Sequence, residues 1–140
     1  MNKLDIKRVC IKKPSVKSYL TKLSLEPKDY PDIIYIGRAI KAKGYPELLG
    51  SLLANPFYIN KDGTREEVVE KYRRWLWEQV QNNTEAKEEL NELLRNVKSK
   101  QELDKYPLKL ACWCKENEKC HGDVVISCLN WMNDSNLGED

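Results

Sequence analysis

Four residues with reactive or metal-binding side chains lie within ten positions of this 140-residue chain: Cys112, Cys114, Cys120 and His121. The whole chain has five cysteines and one histidine. Thiols and imidazoles serve as nucleophiles, proton carriers and metal ligands. The sequence therefore concentrates its candidate chemistry in one segment, for which three interpretations are open.

The first interpretation is a reactive site at the start of a helix. A predicted helix opens at Cys120-His121, and backbone N–H groups at a helix N-terminus favour a thiolate over a thiol. Either Cys120 or Cys114 would then have a lowered pKa, and His121 would carry protons near neutral pH. Gly122 would let a ligand approach the backbone, and Asp123 would either contact that ligand or complement the helix dipole.

The second interpretation is a zinc site, and the third is a set of buried thiols with no chemical role. Cys112 and Cys114 are two positions apart in a predicted strand, so their side chains project to the same side. With Cys120 and His121 they would complete a set of three thiolates and one imidazole. The spacing C-x-C-x5-C-H nevertheless differs from the paired C-x2-C layout of common zinc knuckles. Cys128 is predicted to lie in the core.

Cationic and amide side chains form a second group of candidates. Arg38 directly follows a predicted strand, where a guanidinium suits bidentate binding of phosphate or carboxylate. Arg65 lies in the first turn of a helix, where the dipole disfavours a cation, so it either contacts a ligand or pairs with Asp62 or Glu66. Asn55 opens an Asn-Pro-Phe turn and either orients a ligand or builds that turn.

The apolar pattern predicts the elements that would position these residues. Strands are predicted over 4–11, 33–36 and 108–113. A first helix is predicted to begin with Ser15 as its N-cap, and a second to follow a capping box formed by Thr64 and Glu67. Two further helices are predicted from near Thr84 and over 124–132. The segment 47–53 is predicted to form one or two helical turns.

Strands alternating with helices predict a small Rossmann-like α/β domain, a mainly parallel sheet flanked by helices. Such sheets bind ligands outside the carboxyl ends of their strands. Two loops would meet there, one opening with Gly37 and Arg38 and the other with Cys114. The sequence therefore predicts a common hollow between Arg38 and His121.

Charge and length suggest one domain over 33–132, preceded by a basic extension (1–32) and followed by an acidic flexible tail (133–140). Residues 1–28 hold eight Lys and Arg against two acids, a net charge of +6, and the rest of the chain has a net charge of −4. The extension would contact nucleic acid or an acidic partner, or form a solvated face. The apolar runs are too short for a membrane span or signal peptide, so we expect a cytoplasmic protein.

Four blocks occur in a characteristic order: YIGR at 35–38, SLLANPF at 51–57, REEVVEKYRRWL at 65–76 and LACWCKENEKCHGDVV at 110–125. Over about residues 33–130 the chain resembles the domain of unknown function 4326 (DUF4326) family of small bacterial, archaeal and viral proteins. The resemblance implies a compact α/β domain and supplies no reaction. Leu52 and Ala54 stand where the family usually has proline and glycine. The family pattern falls on Gly37, Arg38, Asn55, Pro56, Phe57, Arg65, Tyr72, Trp75, Cys112, Cys114, Cys120, His121, Gly122 and Asp123.

Two functions fit these observations. In the first, the domain binds a phosphorylated or nucleotide-like ligand and hydrolyses it or transfers part of it, using Cys114, Cys120 or His121. In the second, it is a non-enzymatic module in which zinc stabilises the Cys-His cluster and the basic segment contacts nucleic acid or protein. No G-x-G-x-x-G or P-loop follows a strand, which argues against dinucleotide redox chemistry and P-loop ATP hydrolysis. The sequence does not decide between enzyme and module, and it gives no oligomeric state.

Overall fold

A computed structural model of the chain describes residues 4–41, 43–103 and 107–135. Three strands, β1 (Ile6–Cys10), β2 (Ile33–Tyr35) and β3 (Leu108–Cys112), form a parallel sheet in the order β1-β3-β2. The register pairs Ile6 with Leu108 and Ile33 with Lys109. The predicted α/β fold with a parallel sheet is confirmed.

Four helices cover the two faces of this sheet: α1 (Pro14–Leu25), α2 (Arg65–Gln81), α3 (Glu85–Glu102) and α4 (His121–Ser135). Alternate residues of β3, namely Leu108, Leu110 and Cys112, belong to the larger core cluster with α2, α3 and α4. Ala111 belongs to the smaller cluster with Ile33 and α1 on the opposite side. Burial on both sides explains why β3 is apolar nearly throughout.

The start of α2 follows the sequence prediction closely. The Thr64 hydroxyl accepts a hydrogen bond from the Glu67 backbone N–H (3.2 Å), and the Glu67 carboxylate accepts one from the Thr64 N–H (3.0 Å). This reciprocal pair confirms the capping box. The hydrogen bond from the Thr64 backbone holds the pKa of Glu67 below its ordinary value.

The predicted cap of α1 is wrong. The helix begins at Pro14 with Lys13 as N-cap, and Lys13 makes no side-chain capping bond, so Ser15 lies inside the first turn. Proline at the first position has no N–H to satisfy and a backbone angle already suited to a helix. The helix can therefore begin there without the serine.

The predicted helical turns over 47–53 are also wrong. Ile40 and Leu48 instead form an antiparallel bridge, with N–O distances of 2.8 and 3.2 Å, and the Ser51 N–H donates to the Gly37 carbonyl (2.9 Å). These cross-loop bonds use the backbone groups that a helix would need. The connection is anchored where the Tyr72 hydroxyl donates to the Leu53 carbonyl (2.6 Å).

The predicted ends of the chain can be described only in part. Residues 133–135, assigned to the flexible tail, continue α4, and residues 136–140 lie outside the described residues. Both β1 and α1 fall within the predicted basic extension. None of the described helices combines the length and apolar character needed to cross a bilayer.

Candidate functional site

A hollow of about 210 Å³ opens at the carboxyl ends of β2 and β3. The loop after β2 contributes Arg38, α2 contributes Arg65, and the loop after β3 contributes Lys119 together with His121 at the start of α4. Parallel strands end at the same edge of a sheet, which is why these distant segments meet. Arg38 and His121 line one hollow, as the sequence predicts.

Three cysteines form the sulfur-rich part of the hollow wall, here called the thiol cluster: Cys112, Cys114 and Cys120. Their Sγ atoms all lie within 4.8 Å of one another, and those of Cys112 and Cys120 are 3.4 Å apart. Cys112 and Cys120 are buried, whereas Cys114 is half-buried. Cys112 ends β3 and Cys120 immediately precedes α4, so both are fixed by regular elements.

The three thiols differ in acidity. Hydrogen bonds from Cys112 and Cys120, aided by Arg65, lower the pKa of Cys114 to about 2. The same sharing raises the pKa of Cys112, through its hydrogen bond with Cys114, and that of Cys120, through its bonds with both neighbours and its burial. Of the two alternatives, Cys114 is the thiol with the lowered pKa, whereas hydrogen bonds with Cys112 and Cys114 together with burial raise the pKa of Cys120.

His121 is buried beneath the thiol cluster. Its Nε2 lies 2.9 Å from the Ile36 carbonyl oxygen and its Nδ1 lies 3.6 Å from Cys120 Sγ. A carbonyl only accepts, so Nε2 carries the proton and Nδ1 is left as an acceptor. Burial lowers the pKa of His121, which keeps the imidazole neutral. The thiol cluster does not include this ring among its mutually close ligand atoms, within the described residues.

Arg65 is the cation that contacts the thiol cluster from α2. Its Nη1 donates to Cys114 Sγ (3.2 Å) and to the Lys119 carbonyl (3.1 Å), and its Nη2 pairs with Glu118 (3.2 Å). Of the two alternatives for Arg65, the structure does not show the pairing with Asp62 or Glu66. Its contacts direct the side chain to residues 113–120 between β3 and α4, here called the cysteine loop. A cation in the first turn of α2 is thus explained by what it holds across the hollow.

Arg38 and Asn55 shape the opposite wall. The Arg38 Nη2 donates to the carbonyls of Asn55 (2.6 Å) and Phe57 (2.8 Å), and its guanidinium lies 3.8 Å from the centre of the Tyr58 ring. The Asn55 side chain accepts from the Phe57 N–H (2.9 Å) and donates to the Val68 carbonyl (3.3 Å). Asn55 therefore builds the turn, while both residues still line the hollow.

The sequence predicts Gly122 and Asp123 as candidate ligand contacts, but the structure places both residues away from the hollow. Neither belongs to the described residues that line the hollow. A Cβ on Gly122 would lie 2.8 Å from Arg8 Cδ and 3.2 Å from Ile36 Cδ1, so the space beside it is already filled. The Asp123 carboxylate accepts from the Cys120 N–H (3.2 Å) and from Arg8 Nε (3.0 Å). Both residues support the start of α4.

Gly37 lines the hollow as predicted for the loop after β2. A Cβ at this position would lie 2.4 Å from the Tyr35 hydroxyl, which itself donates to the Arg38 carbonyl and accepts from the Trp113 indole N–H (2.9 Å). Glycine is therefore required because the chain crosses close above this tyrosine.

Arg8 is a site residue that the sequence analysis misses. Only 8% of its side chain is exposed, and it reaches from β1 across Cys112 Sγ (3.6 Å) to the cysteine loop. Burial alone would lower the pKa of Arg8, but the hydrogen bond with Cys112 and the carboxylate of Asp123 raise it. In the cysteine loop it donates to four backbone carbonyls, those of Cys114 (3.5 Å), Lys115 (3.1 Å), Glu116 (3.0 Å) and Glu118 (2.8 Å).

Lys119 is the second residue missed. It is exposed, lines the hollow, and its Nζ has no hydrogen-bond or ion-pair partner among the residues that the structure describes. The sequence signal for Lys119 is its position next to Cys120, since a residue that adjoins a reactive cysteine in the same loop is placed near the same site.

A larger groove of about 490 Å³ lies between α2 and α4 and is mostly apolar. Trp77 and Trp131 meet there edge to face, with ring centres 4.8 Å apart, beside Arg73 and Arg74. Its one cysteine, Cys128, has a pKa raised to about 11 by burial. We place the candidate chemistry in the smaller hollow because the thiol cluster, the imidazole and three cations converge there.

In a comparison with known families, the sequence pattern of the family described as Domain of unknown function (DUF4326) matches residues 22–131. This span includes every site residue discussed above except Arg8, and it begins before residue 33, the start of the resemblance noted in the sequence. Comparison with curated proteins finds no match, and neither does comparison with solved structures.

Proposed function

The chain belongs to the DUF4326 family, and on this premise we propose that the hollow binds a small phosphorylated or nucleotide-like ligand. The observation that carries the proposal is the convergence of Arg38, Arg65 and Lys119 on one hollow. Three cations from three chain segments favour an anion over a neutral ligand.

The free donors in the hollow indicate how an anion would be held. Arg65 is occupied by Cys114 and the cysteine loop, and Arg38 Nη2 is occupied by two carbonyls. The unpaired Lys119 ammonium and the remaining N–H groups of Arg38 are left for phosphate oxygens. We therefore assign the main ligand contact to Lys119, with Arg38 as second donor and Arg65 as the residue that positions Cys114.

The size of the hollow limits the ligand. Drug-sized ligands occupy pockets of about 300 Å³ or more, whereas this hollow measures about 210 Å³. A sugar phosphate or part of a single nucleotide fits that volume, and a dinucleotide does not. Apolar side chains that include Phe57, Val68 and Trp113 complete the wall and suit the flat face of a base or sugar.

The thiol cluster supplies the chemistry in this proposal. Cys114 is its half-buried member and the most accessible to a ligand, while Cys112, Cys120 and His121 also line the hollow but are buried. Hydrolysis or group transfer at the bound ligand fits a thiol cluster next to an anion site, either with a free thiol as nucleophile or with the thiols as ligands of a metal that acts on the ligand. A buried neutral His121 acts here by holding Cys120 and the Ile36 carbonyl in place.

A thermal-shift series tests the proposal. Nucleoside monophosphates, sugar phosphates and inorganic phosphate would be compared with the matching nucleosides and free sugars. A ligand at 100 times its Kd adds about 2.7 kcal/mol of stability, which raises Tm by roughly 5–10 °C in a domain of this size. We expect such a shift for at least one phosphorylated compound, and a binding loss of about ten- to a hundredfold in Lys119→Ala.

Lys115→Ala is the matched control, because Lys115 belongs to the same loop and is exposed but does not line the hollow. It should bind like the wild-type chain. The proposal fails if no phosphorylated compound raises Tm, or if the unphosphorylated partner raises it equally. Equal loss in Lys115→Ala and Lys119→Ala would mean that binding follows loop charge and not the hollow.

A further inference from the structure

We propose that Cys112, Cys114 and Cys120 bind one zinc ion, with the fourth coordination position open to the hollow. The role of the open fourth position rests on the proposed function, since the bound phosphorylated ligand would face the ion there. The proposed ion is a thiophilic divalent cation held by three sulfurs. Zinc prefers such a ligand set when thiolates are available.

The spacing of the sulfurs supports an ion. Zinc–sulfur bonds are about 2.3 Å long, so two thiolates on a tetrahedral zinc lie about 3.8 Å apart. The three Sγ atoms here lie within 4.8 Å of one another, and two of them are 3.4 Å apart. These distances bracket the tetrahedral value. A disulfide would need about 2.05 Å, and all five cysteines are free thiols.

Each sulfur of the thiol cluster also receives an N–H donor from outside the cluster. Arg8 Nη1 lies 3.6 Å from Cys112 Sγ, and Arg65 Nη1 lies 3.2 Å from Cys114 Sγ. The Gly122 backbone N–H lies 3.4 Å from Cys120 Sγ. Donors behind the ligands stabilise thiolates on a metal and orient them. The two guanidinium groups also offset the net negative charge that three thiolates leave on a divalent ion.

The ligands are held before any ion binds. Cys112 is the last residue of β3, and Cys120 precedes the first turn of α4, where Asp123 accepts from its backbone N–H (3.2 Å). Arg8 donates to four carbonyls of the intervening loop. Because the site is preformed, the chain loses little conformational entropy when a metal binds. Binding then releases the thiol protons to solvent and requires no refolding of the chain.

His121 does not fill the fourth position. Its Nε2 is occupied by the Ile36 carbonyl, its Nδ1 lies 3.6 Å from Cys120 Sγ, and among the described residues the ring is not one of the mutually close ligand atoms. All three cysteines line the hollow. Three protein ligands with an open fourth position are characteristic of zinc sites that contact water or substrate, whereas four protein ligands are characteristic of structural sites.

Metal analysis of the full-length chain, purified without chelators from zinc-supplemented cells, tests the inference. We expect about one equivalent of zinc per chain, lost in Cys112→Ser, Cys114→Ser and Cys120→Ser. Cys10→Ser and Cys128→Ser are matched controls outside the thiol cluster and should keep the metal. His121→Asn should also keep it, and loss of zinc in a folded His121→Asn chain would overturn the open fourth position.

A titration of metal-free wild-type chain with Co²⁺ provides a second readout that needs no variant to fold. Thiolate ligation would produce sulfur-to-cobalt charge-transfer bands that saturate at about one equivalent. Wild-type chain with less than about 0.1 equivalent of zinc and no such bands would overturn the metal site. Retention of the metal by Cys114→Ser would overturn it too.

The metal site and the ligand site fail separately. A chain that binds zinc through the thiol cluster but is stabilised by no phosphorylated compound keeps the metal and loses the proposed function. A metal-free chain that is stabilised by a phosphorylated compound through Lys119 keeps the function and loses the metal.

Discussion

Gly122 lies where the Arg8 side chain passes from the sheet to the cysteine loop. Because an added Cβ would lie 2.8 Å from Arg8 Cδ, Gly122→Ala must displace a side chain held by several hydrogen bonds. We expect a loss of about 1–3 kcal/mol in the free energy of unfolding, as in other overpacked sites. Urea unfolding would measure it.

Ser127→Ala is the control for this substitution, since Ser127 is an exposed residue of the same helix. It should change the free energy of unfolding by less than about 0.5 kcal/mol. A similarly small effect of Gly122→Ala would show that Arg8 can move aside without cost, and that its network is looser than the distances suggest.

Residues of the site are predictable from the sequence when their type conflicts with the local structure around them. Arg65 opposes the helix dipole, and this was the signal for a role across the hollow. For Gly122 and Asp123 the sequence predicts a ligand as a possible neighbour, whereas the structure has Arg8 there, because the sequence does not reveal which side chain fills the space beside them. Arg8 itself gave no signal, since its contacts come from parallel pairing with a strand about a hundred positions away.

At the scale of elements, Thr64 and Thr84 offer a direct comparison. Both are N-caps, but only Thr64 accepts a hydrogen bond from its helix, and Thr84 Oγ1 instead donates to the Gln79 carbonyl (3.3 Å). We expect Thr64→Ala to lower the free energy of unfolding by about 1 kcal/mol and Thr84→Ala by distinctly less. Equal losses in urea unfolding would contradict the capping assignment.

The Glu67 half of this capping box depends on pH. The pKa of Glu67 in the folded chain is lowered. Its contribution to the free energy of unfolding is therefore complete above the ordinary carboxyl pKa of about 4.5 and is lost as pH falls below that value and through the folded pKa. The difference in stability between wild type and Glu67→Gln should therefore be largest at neutral pH and shrink below about pH 4. A difference that stays constant with pH would exclude a role for the charge.

Elements were predictable when their signals were local. The capping box and the apolar face of α2 belong to one stretch of chain, and their prediction was confirmed. The segment over 47–53 was misassigned because its partners, Gly37 and Ile40, lie outside any local window. Ser15 was misassigned because a proline start competes with a serine cap, and sequence alone does not rank them.

At the scale of the whole molecule, the family match begins at residue 22, after β1. We expect a chain that starts at residue 22 to lose cooperative unfolding, because it lacks the strand that pairs with all of β3 and also the first two turns of α1, with the buried Val16 and Leu20. Circular dichroism during urea unfolding would show this loss. An unchanged transition would mean that β1 is dispensable.

A full-length chain with Lys7→Ser, Lys12→Ser and Lys22→Ser separates strand from charge. These three lysines are exposed, so their removal reduces the basic character of the segment without removing β1. This variant should unfold cooperatively. Failure of both chains would show that the positive charge is itself required for folding.

The order β1-β3-β2 puts the last strand made by the ribosome in the middle. Neither β1 nor β2 has a strand to pair with until β3 has been synthesised, and both carry buried apolar residues. The sheet can therefore close only after β3 has been made, and until then these apolar segments of the nascent chain stay uncovered. A central strand that comes after both of its neighbours makes all the strand pairing long-range, which slows folding and prolongs exposure to aggregation.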